Sequence, residues 1–327
     1  MRKLSHAIVL WQRLGFKIAV TVFIASFSNF VKADLLGVSF NPDTSKIDLY
    51  RIDENNSSSS LVSHTTLSGW SLGGTLFTQD NSAVIFSGGN ELRSINISSG
   101  VENIVTLNRD FNAIDAAQNG LVGIRFNGTT LQNELYTIDL NTGSDSLITS
   151  FNFASGFYDV SSFRVDAINN FAYAASNGQI YQFNLNNGSY LSFSTSPTFN
   201  SYDLDINGNL IGISHDFPNS ILSLYNVDSS TFSSSFLTSI NFSGGLPSGS
   251  FFTSNFESKA YLNAGALFQF DLQNGITASN TLDRSYSALT SFQAMSSTVP
   301  EPESYAMFLA GVGLLCLAKR RKEAINT

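Results

Sequence analysis

The sequence predicts an all-β fold, a six-bladed β-propeller of four-stranded blades closed by a C-terminal strand, on three observations. A short element recurs at 49, 92, 135, 180, 224 and 267 as "LYRID", "LRSIN", "LYTID", "IYQFN", "LYNVD" and "LFQFD", at intervals of 43 to 45 residues. Each copy alternates large apolar and polar residues and ends in a turn such as "NISSG" or "DLNTG", the pattern of a strand running into a hairpin. Two further apolar runs joined by an Asp/Asn/Gly turn precede the later copies, as in "IDAAQNGLVGIRF" and "LDINGNLIGIS". With an outer strand after each turn, this makes four strands per period of about 44 residues, which is a propeller blade rather than a coil of a β-solenoid or a piece of a sandwich.

Taken in order, residues 1–33 read as a secretory signal peptide. Arg2, Lys3, Arg13 and Lys17 precede an apolar run from Ile18 to Phe27, and Val31-Lys32-Ala33 supplies a cleavage site after Ala33. The body follows over 34–298. Its first repeat starts abruptly at "DLLGVSF", which matches the second strand of the other copies, so its innermost strand is missing. The surplus "YSALTSFQAM" after the sixth repeat matches a first strand. Residues near Ser285 to Met295 are therefore expected to complete blade one and close the ring, leaving no open inner edge.

Charge separates the body from its flanks. Nine of the 17 basic residues lie in the two flanks, which leaves eight against 22 acids between Asp34 and Thr298, a net of −14. A surface of that sign does not suit nucleic acid or anionic lipid. The single cysteine, Cys316, lies in the tail, so the body has no disulfide and must be held by packing. Both apolar runs carry their bases on the side away from the body, which places the body outside the cytoplasm.

Residues with chemistry are sparse. His64, in "LVSHTTL", is expected on an outer strand facing solvent; His215-Asp216, in "ISHDFPNS", is expected in the connection between a second and a third strand. The two histidines have no ligand-like spacing, and "DLDINGN" at 203–209 matches only the first half of a calcium loop, with Ser214 where a bidentate Glu is required. No metal and no cofactor is expected. One set of aromatics stands where blades are entered: Trp70, Phe111, Tyr158, Tyr202 and Tyr286. Aromatic faces stack on sugar rings, so these residues and His215 are candidate ligand-binding positions; the competing reading is packing between blades.

The tail begins Val299-Pro300-Glu301-Pro302, continues through the uncharged run Ser304 to Ala318 and ends in Lys319-Arg320-Arg321-Lys322. A helix of about 15 residues reaches about 22 Å against a hydrocarbon core of about 30 Å, a marginal span. The layout of residues 299–327 resembles the PEP-CTERM family of bacterial sorting signals, with a short transmembrane sorting helix. The resemblance implies an exported protein of a Gram-negative, exopolysaccharide-producing bacterium, held transiently in the inner membrane until an exosortase-type membrane peptidase removes the tail. Pro300, Glu301 and Pro302 would then be recognised, and Arg320 and Arg321 would be the cytoplasmic stop. The expected role is that of a non-enzymatic binding or structural protein of the cell surface or extracellular polysaccharide matrix. The alternative is a propeller enzyme acting on a glycan or lactone near Arg125, His215 and Asp216.

Overall fold

The computed structural model describes residues 33–66, 75–79, 82–86, 89–153, 163–176, 178–242, 251–254, 257–264, 266–275 and 277–293. The elements among these residues are all strands. β1 (Ala33–Asn41), β2 (Lys46–Ile52) and β3 (Ser59–His64) come first, followed by a second blade of β4 (Thr75–Gln79), β5 (Ser82–Phe86), β6 (Gly89–Asn96) and β7 (Glu102–Phe111). The third blade is β8 (Ala113–Ala117), β9 (Gly120–Asn127), β10 (Gln132–Ile138) and β11 (Asp145–Phe151); the fourth is β12 (Phe163–Asp166), β13 (Phe171–Ser176), β14 (Gln179–Asn184) and β15 (Tyr190–Ser194). The fifth is β16 (Ser201–Leu204), β17 (Leu210–Asp216), β18 (Ile221–Val227) and β19 (Ser234–Asn241); the sixth is β20 (Phe251–Thr253), β21 (Lys259–Asn263), β22 (Leu267–Asp271) and β23 (Thr277–Asn280). The last strand, β24 (Ala288–Gln293), returns to β1, giving six four-stranded sheets, the first in the order β24-β1-β2-β3. The fold is the six-bladed propeller expected from the repeat, and its closing strand lies within the stretch assigned to it.

The recurrent "LY" element is the third strand of every blade, and packing explains its spacing. Each core cluster joins neighbouring blades: Phe77, Val84 and Phe111 meet Ile114 and Tyr136 across blades two and three, and Phe151 meets Phe163 and Phe183 across blades three and four. Phe252, Tyr261 and Leu267 of blade six pack on Leu35, Ile52 and Leu289 of blade one, which closes the ring. Each fully buried side chain of this kind contributes about 1.5–3 kcal/mol, so a body without disulfides is held by the sum of many such contacts.

The blades are not six equal copies. In blades one, three and five the second strand carries Gly37, Gly123 and Gly212 opposite Tyr50, Tyr136 and Tyr225. The ring of Tyr286, Phe111 or Phe199 lies directly over each glycine, so an added Cβ would come within 2.5, 2.6 and 2.6 Å of it. Blades two, four and six hold Ile85, Ala174 and Leu262 in that register, opposite Arg93, Tyr181 and Phe268. The outer strand pairing shifts register at Leu49/Tyr50, Leu135/Tyr136 and Leu224/Tyr225, again in blades one, three and five. The carbonyls of the residues skipped there, Val62, Ile148 and Leu237, receive the turn glycines Gly100, Gly188 and Gly275 of the following blade. The glycine–tyrosine pair and its adjacent register shift thus recur at a period of two blades, although blade two shifts register at Gly89/Glu91 and Gly143 likewise seats on the Thr106 carbonyl of blade two.

The pairing also governs one face of the ring. Connections between second and third strands run over four residues in blades one, three and five (42–45, 128–131 and 217–220), but over two or three in the others (87–88, 177–178 and 264–266). The long ones share one construction. Asn41 and Asn127 each accept backbone N–H groups from the residues two and three on, Asp216 accepts one from Asn219, and Ser45, Leu131 or Ser220 closes the turn at φ of 54°, 56° or 54°. Because strands alternate in direction across every sheet, all these hairpins lie on one face of the ring. The start of β1 and the end of β24 lie on the other.

Candidate functional site

The innermost strands bring together a group that spacing along the chain does not reveal. Asp115 on β8 pairs with Val122, Arg164 on β12 with Tyr173, and Asp203 on β16 with Ile211; these partners in turn face Thr137, Gln182 and Asn226, the residue after the repeated tyrosine. The three charges thus occupy one level of three consecutive blades. Phe77 and Phe252 hold the same register on β4 and β20, opposite Val84 and Tyr261. One side of this level is charged and the other apolar.

The carboxylates satisfy backbone that has no strand beyond it. An innermost strand leaves N–H groups unpaired on its inner edge, and such groups are costly when removed from water. Asp115 Oδ2 accepts the Val165 N–H at 2.8 Å, and Asp203 Oδ2 accepts the Thr253 N–H at 2.9 Å, each from the next blade. Arg164 Nε donates to Asp203 Oδ1 at 2.7 Å. Burial pushes the Asp115 carboxyl up to about 6, against the opposing pull of the Arg164 guanidinium and of the Val165 and Ala116 N–H groups.

A carboxyl whose folded pKa lies above its unfolded value of about 3.9 favours folding only while it is protonated. Its contribution is complete below about pH 4 and is lost as pH rises to about 6. At about 1.4 kcal/mol per unit, the wild type will lose about 2–3 kcal/mol relative to Asp115→Asn between pH 4 and pH 7. Urea melts of both proteins at several pH values measure this; parallel stability curves would refute it.

The positions expected from the sequence have a different fate. Phe111, Tyr202 and Tyr286 are 3%, 1% and 6% exposed and belong to core clusters, so no ring face is available for a ligand. Phe111 packs edge-on against Tyr136, and Tyr286 edge-on against Tyr50. Packing accounts for these three: Phe111 and Tyr286 each cover a glycine, and Tyr202 packs among Tyr173, Leu204 and Val227. Trp70, Tyr158, the segment 1–32 and the whole tail, including Val299, Pro300, Glu301, Pro302, Arg320 and Arg321, lie outside the described residues. Ala33, the expected cleavage position, opens β1.

His215 is the last inward-facing residue of β17 rather than part of a connection. Its ring sits between Phe217 and Phe242, and Nε2 lies 3.0 Å from the Phe242 carbonyl oxygen. Asp216 points to the opposite side of the strand and accepts both the backbone and side-chain N–H groups of Asn219. The period of two along a strand separates the pair, so the two do not act as a dyad. Arg125 lies 3.9 Å from Glu134 in blade three, in a separate network with Asn127 and Tyr136. His64 is exposed on β3, with Nδ1 3.0 Å from Asp48 Oδ1. In "DLDINGN", Asp203 turns inward to Arg164, whereas Asp205 accepts the N–H groups of Asn207 and Asn209 in a tight turn.

Comparison with known proteins gives separate matches for the body and for the tail. No curated protein matches the sequence. The body is similar to a solved structure described as a candidate 6-phosphogluconolactonase from Bacteroides fragilis, with 12% identity over 81% of this chain and 99% of that one at a TM-score of 0.51. A candidate 6-phosphogluconolactonase from Bacteroides uniformis gives 11% identity over 80% and 99% at 0.51, and TolB from Acinetobacter baumannii gives 16% over 79% and 66% at 0.50. Identities this low show a shared fold and nothing of activity. The model of the PEP-CTERM protein-sorting motif matches residues 298–322, a stretch that contains Val299, Pro300, Glu301, Pro302, Arg320 and Arg321. The chain is thus a six-bladed β-propeller that carries a PEP-CTERM sorting motif, the mark of an exported protein sorted through the membrane and processed by an exosortase.

Proposed function

We propose that the protein is a non-catalytic binding or structural module of the cell surface or extracellular polysaccharide matrix, released to that place when its tail is removed. The observation that carries this reading is the sorting motif at 298–322 behind a body whose last strand ends at Gln293. Every strand among the described residues precedes the motif in the sequence, so removing the tail takes none of them from the fold. The acidic body supports a partner that is not itself strongly anionic.

The enzymatic alternative has less support from the arrangement of His215 and Asp216. A general base must reach its proton at about 2.6–3.2 Å, and His215 spends Nε2 on a carbonyl while Asp216 faces away from it. Two measurements on the full chain in detergent test the proposal: hydrolysis of δ-gluconolactone and of a panel of oligosaccharides, and retention on immobilised polysaccharides. Retention without turnover is expected. Turnover that falls at least 100-fold in His215→Ala or Asp216→Asn would replace this reading with the enzymatic one.

A further inference from the structure

The three long hairpins each present a phenylalanine to solvent. Phe40 before Asn41 is 48% exposed, Phe126 before Asn127 is 42% exposed, and Phe217 after Asp216 is 59% exposed. The short connections of the alternate blades present no large apolar residue among their described positions. A partly exposed phenylalanine recurs on each long hairpin and points to a shared contact, although Phe217 also lies against the His215 ring, with centroids 4.0 Å apart. In each case the polar neighbour is held rigid. Asn41 Oδ1 accepts from Asp43 N at 3.0 Å, Asn127 Oδ1 from Thr129 N at 3.0 Å, and Asp216 Oδ2 from Asn219 Nδ2 at 2.7 Å.

We propose that this hairpin face binds an uncharged polysaccharide, with Phe40, Phe126 and Phe217 as three stacking platforms spaced around the ring. The inference rests on the polysaccharide-binding reading above and names its site. Four considerations select this occupant. A flat ring beside a fixed amide or carboxylate matches a sugar, whose C–H face is apolar and whose edge carries hydroxyls. Three weak, repeated contacts suit a partner that is itself a repeat, because engagement of one raises the effective concentration for the next. A net charge of −14 on the body opposes a polyanion or an anionic lipid surface. The last described strand, β24, ends on the face opposite the hairpins, so the closing strand pair does not crowd them.

Affinity electrophoresis of the full chain in detergent through gels containing hydroxyethyl cellulose or glucomannan tests the site. The wild type will be retarded, Phe40→Ala, Phe126→Ala and Phe217→Ala will each weaken retardation about threefold, and the triple variant will weaken it at least tenfold. All three side chains are exposed, so melting temperatures will stay within about 3 °C of the wild type and loss of binding will not reflect unfolding. Undiminished retardation of the triple variant overturns the site and leaves the broader reading standing. No retardation of the wild type in either gel overturns both. Sedimentation with zwitterionic liposomes, or concentration-dependent dimerisation, abolished in the triple variant would assign the face to a membrane or to a second copy and would also overturn the proposal.

Discussion

Gly143→Ala will lower the melting temperature of the propeller by about 10 °C, whereas Gly89→Ala will lower it by about 3 °C. Both glycines have positive φ, 70° and 84°, and an alanine in that region costs about 1–2 kcal/mol. They differ in what a new methyl group meets. At Gly143 the added Cβ would come within 2.2 Å of the Thr106 carbonyl oxygen, a backbone atom of the preceding blade, whereas at Gly89 nothing lies within 4 Å. The turn from Asp139 to Gly143 can give way only by lifting off blade two, which brings the total to about 3–4 kcal/mol. For a domain of this size each kcal/mol moves the midpoint by about 2–4 °C. Scanning calorimetry of the two variants decides the matter, and equal midpoints would show that the turn does not bear on its neighbour.

A second large effect is expected at the seam where the ring closes. Glu54, in the turn after β2, reaches from blade one into blade six. It accepts Lys259 Nζ at 3.0 Å and the Tyr261 hydroxyl at 2.7 Å, while its backbone carbonyl accepts Gln269 Nε2 at 2.8 Å. The side chain is 6% exposed, and burial together with this carboxylate pushes the Tyr261 hydroxyl up. Removing one member of a buried pair costs about 3–5 kcal/mol because the other is left without a partner. Lys259 keeps some contact with water and with Glu257, so Glu54→Ala will cost about 3 kcal/mol, and Glu54→Gln about half of that. A cycle with Tyr261→Phe will show about 1–2 kcal/mol of coupling. Additive effects would mean that the seam is held by the apolar cluster alone.

The architecture was legible in the sequence because each blade must restate it. "LYRID" through "LFQFD" recur at the spacing a blade requires, and the incomplete first repeat pointed to the last strand. The candidate site was not legible, for a reason that the aromatics make plain. Phe111, Tyr202 and Tyr286 recur at blade boundaries, but recurrence marks the place in the blade and not the side of the strand. The same register that repeats a residue also repeats its burial. Asp115, Arg164 and Asp203 do not stand out as a group along the chain because they recur in position and not in type. Their alignment exists only across blades. The hairpins "FNPDTS", "FNGTTL" and "HDFPNS" were present to be compared, but a search at one blade's period averages them with the short connections between. Only a period of two blades separates them.

The closing strand has a consequence for the order in which this protein is made. Export threads a chain from its N-terminus, so β1 is outside long before β24, and its inner edge stays unpaired through the passage of five complete blades. Unpaired strand edges invite association with other chains. The partner arrives only with residues 288–293, immediately ahead of the sorting motif. Completion of the ring and delivery of the tail to the membrane therefore fall at the same moment of biogenesis, and a molecule that has not received its last strand has also not yet received its address.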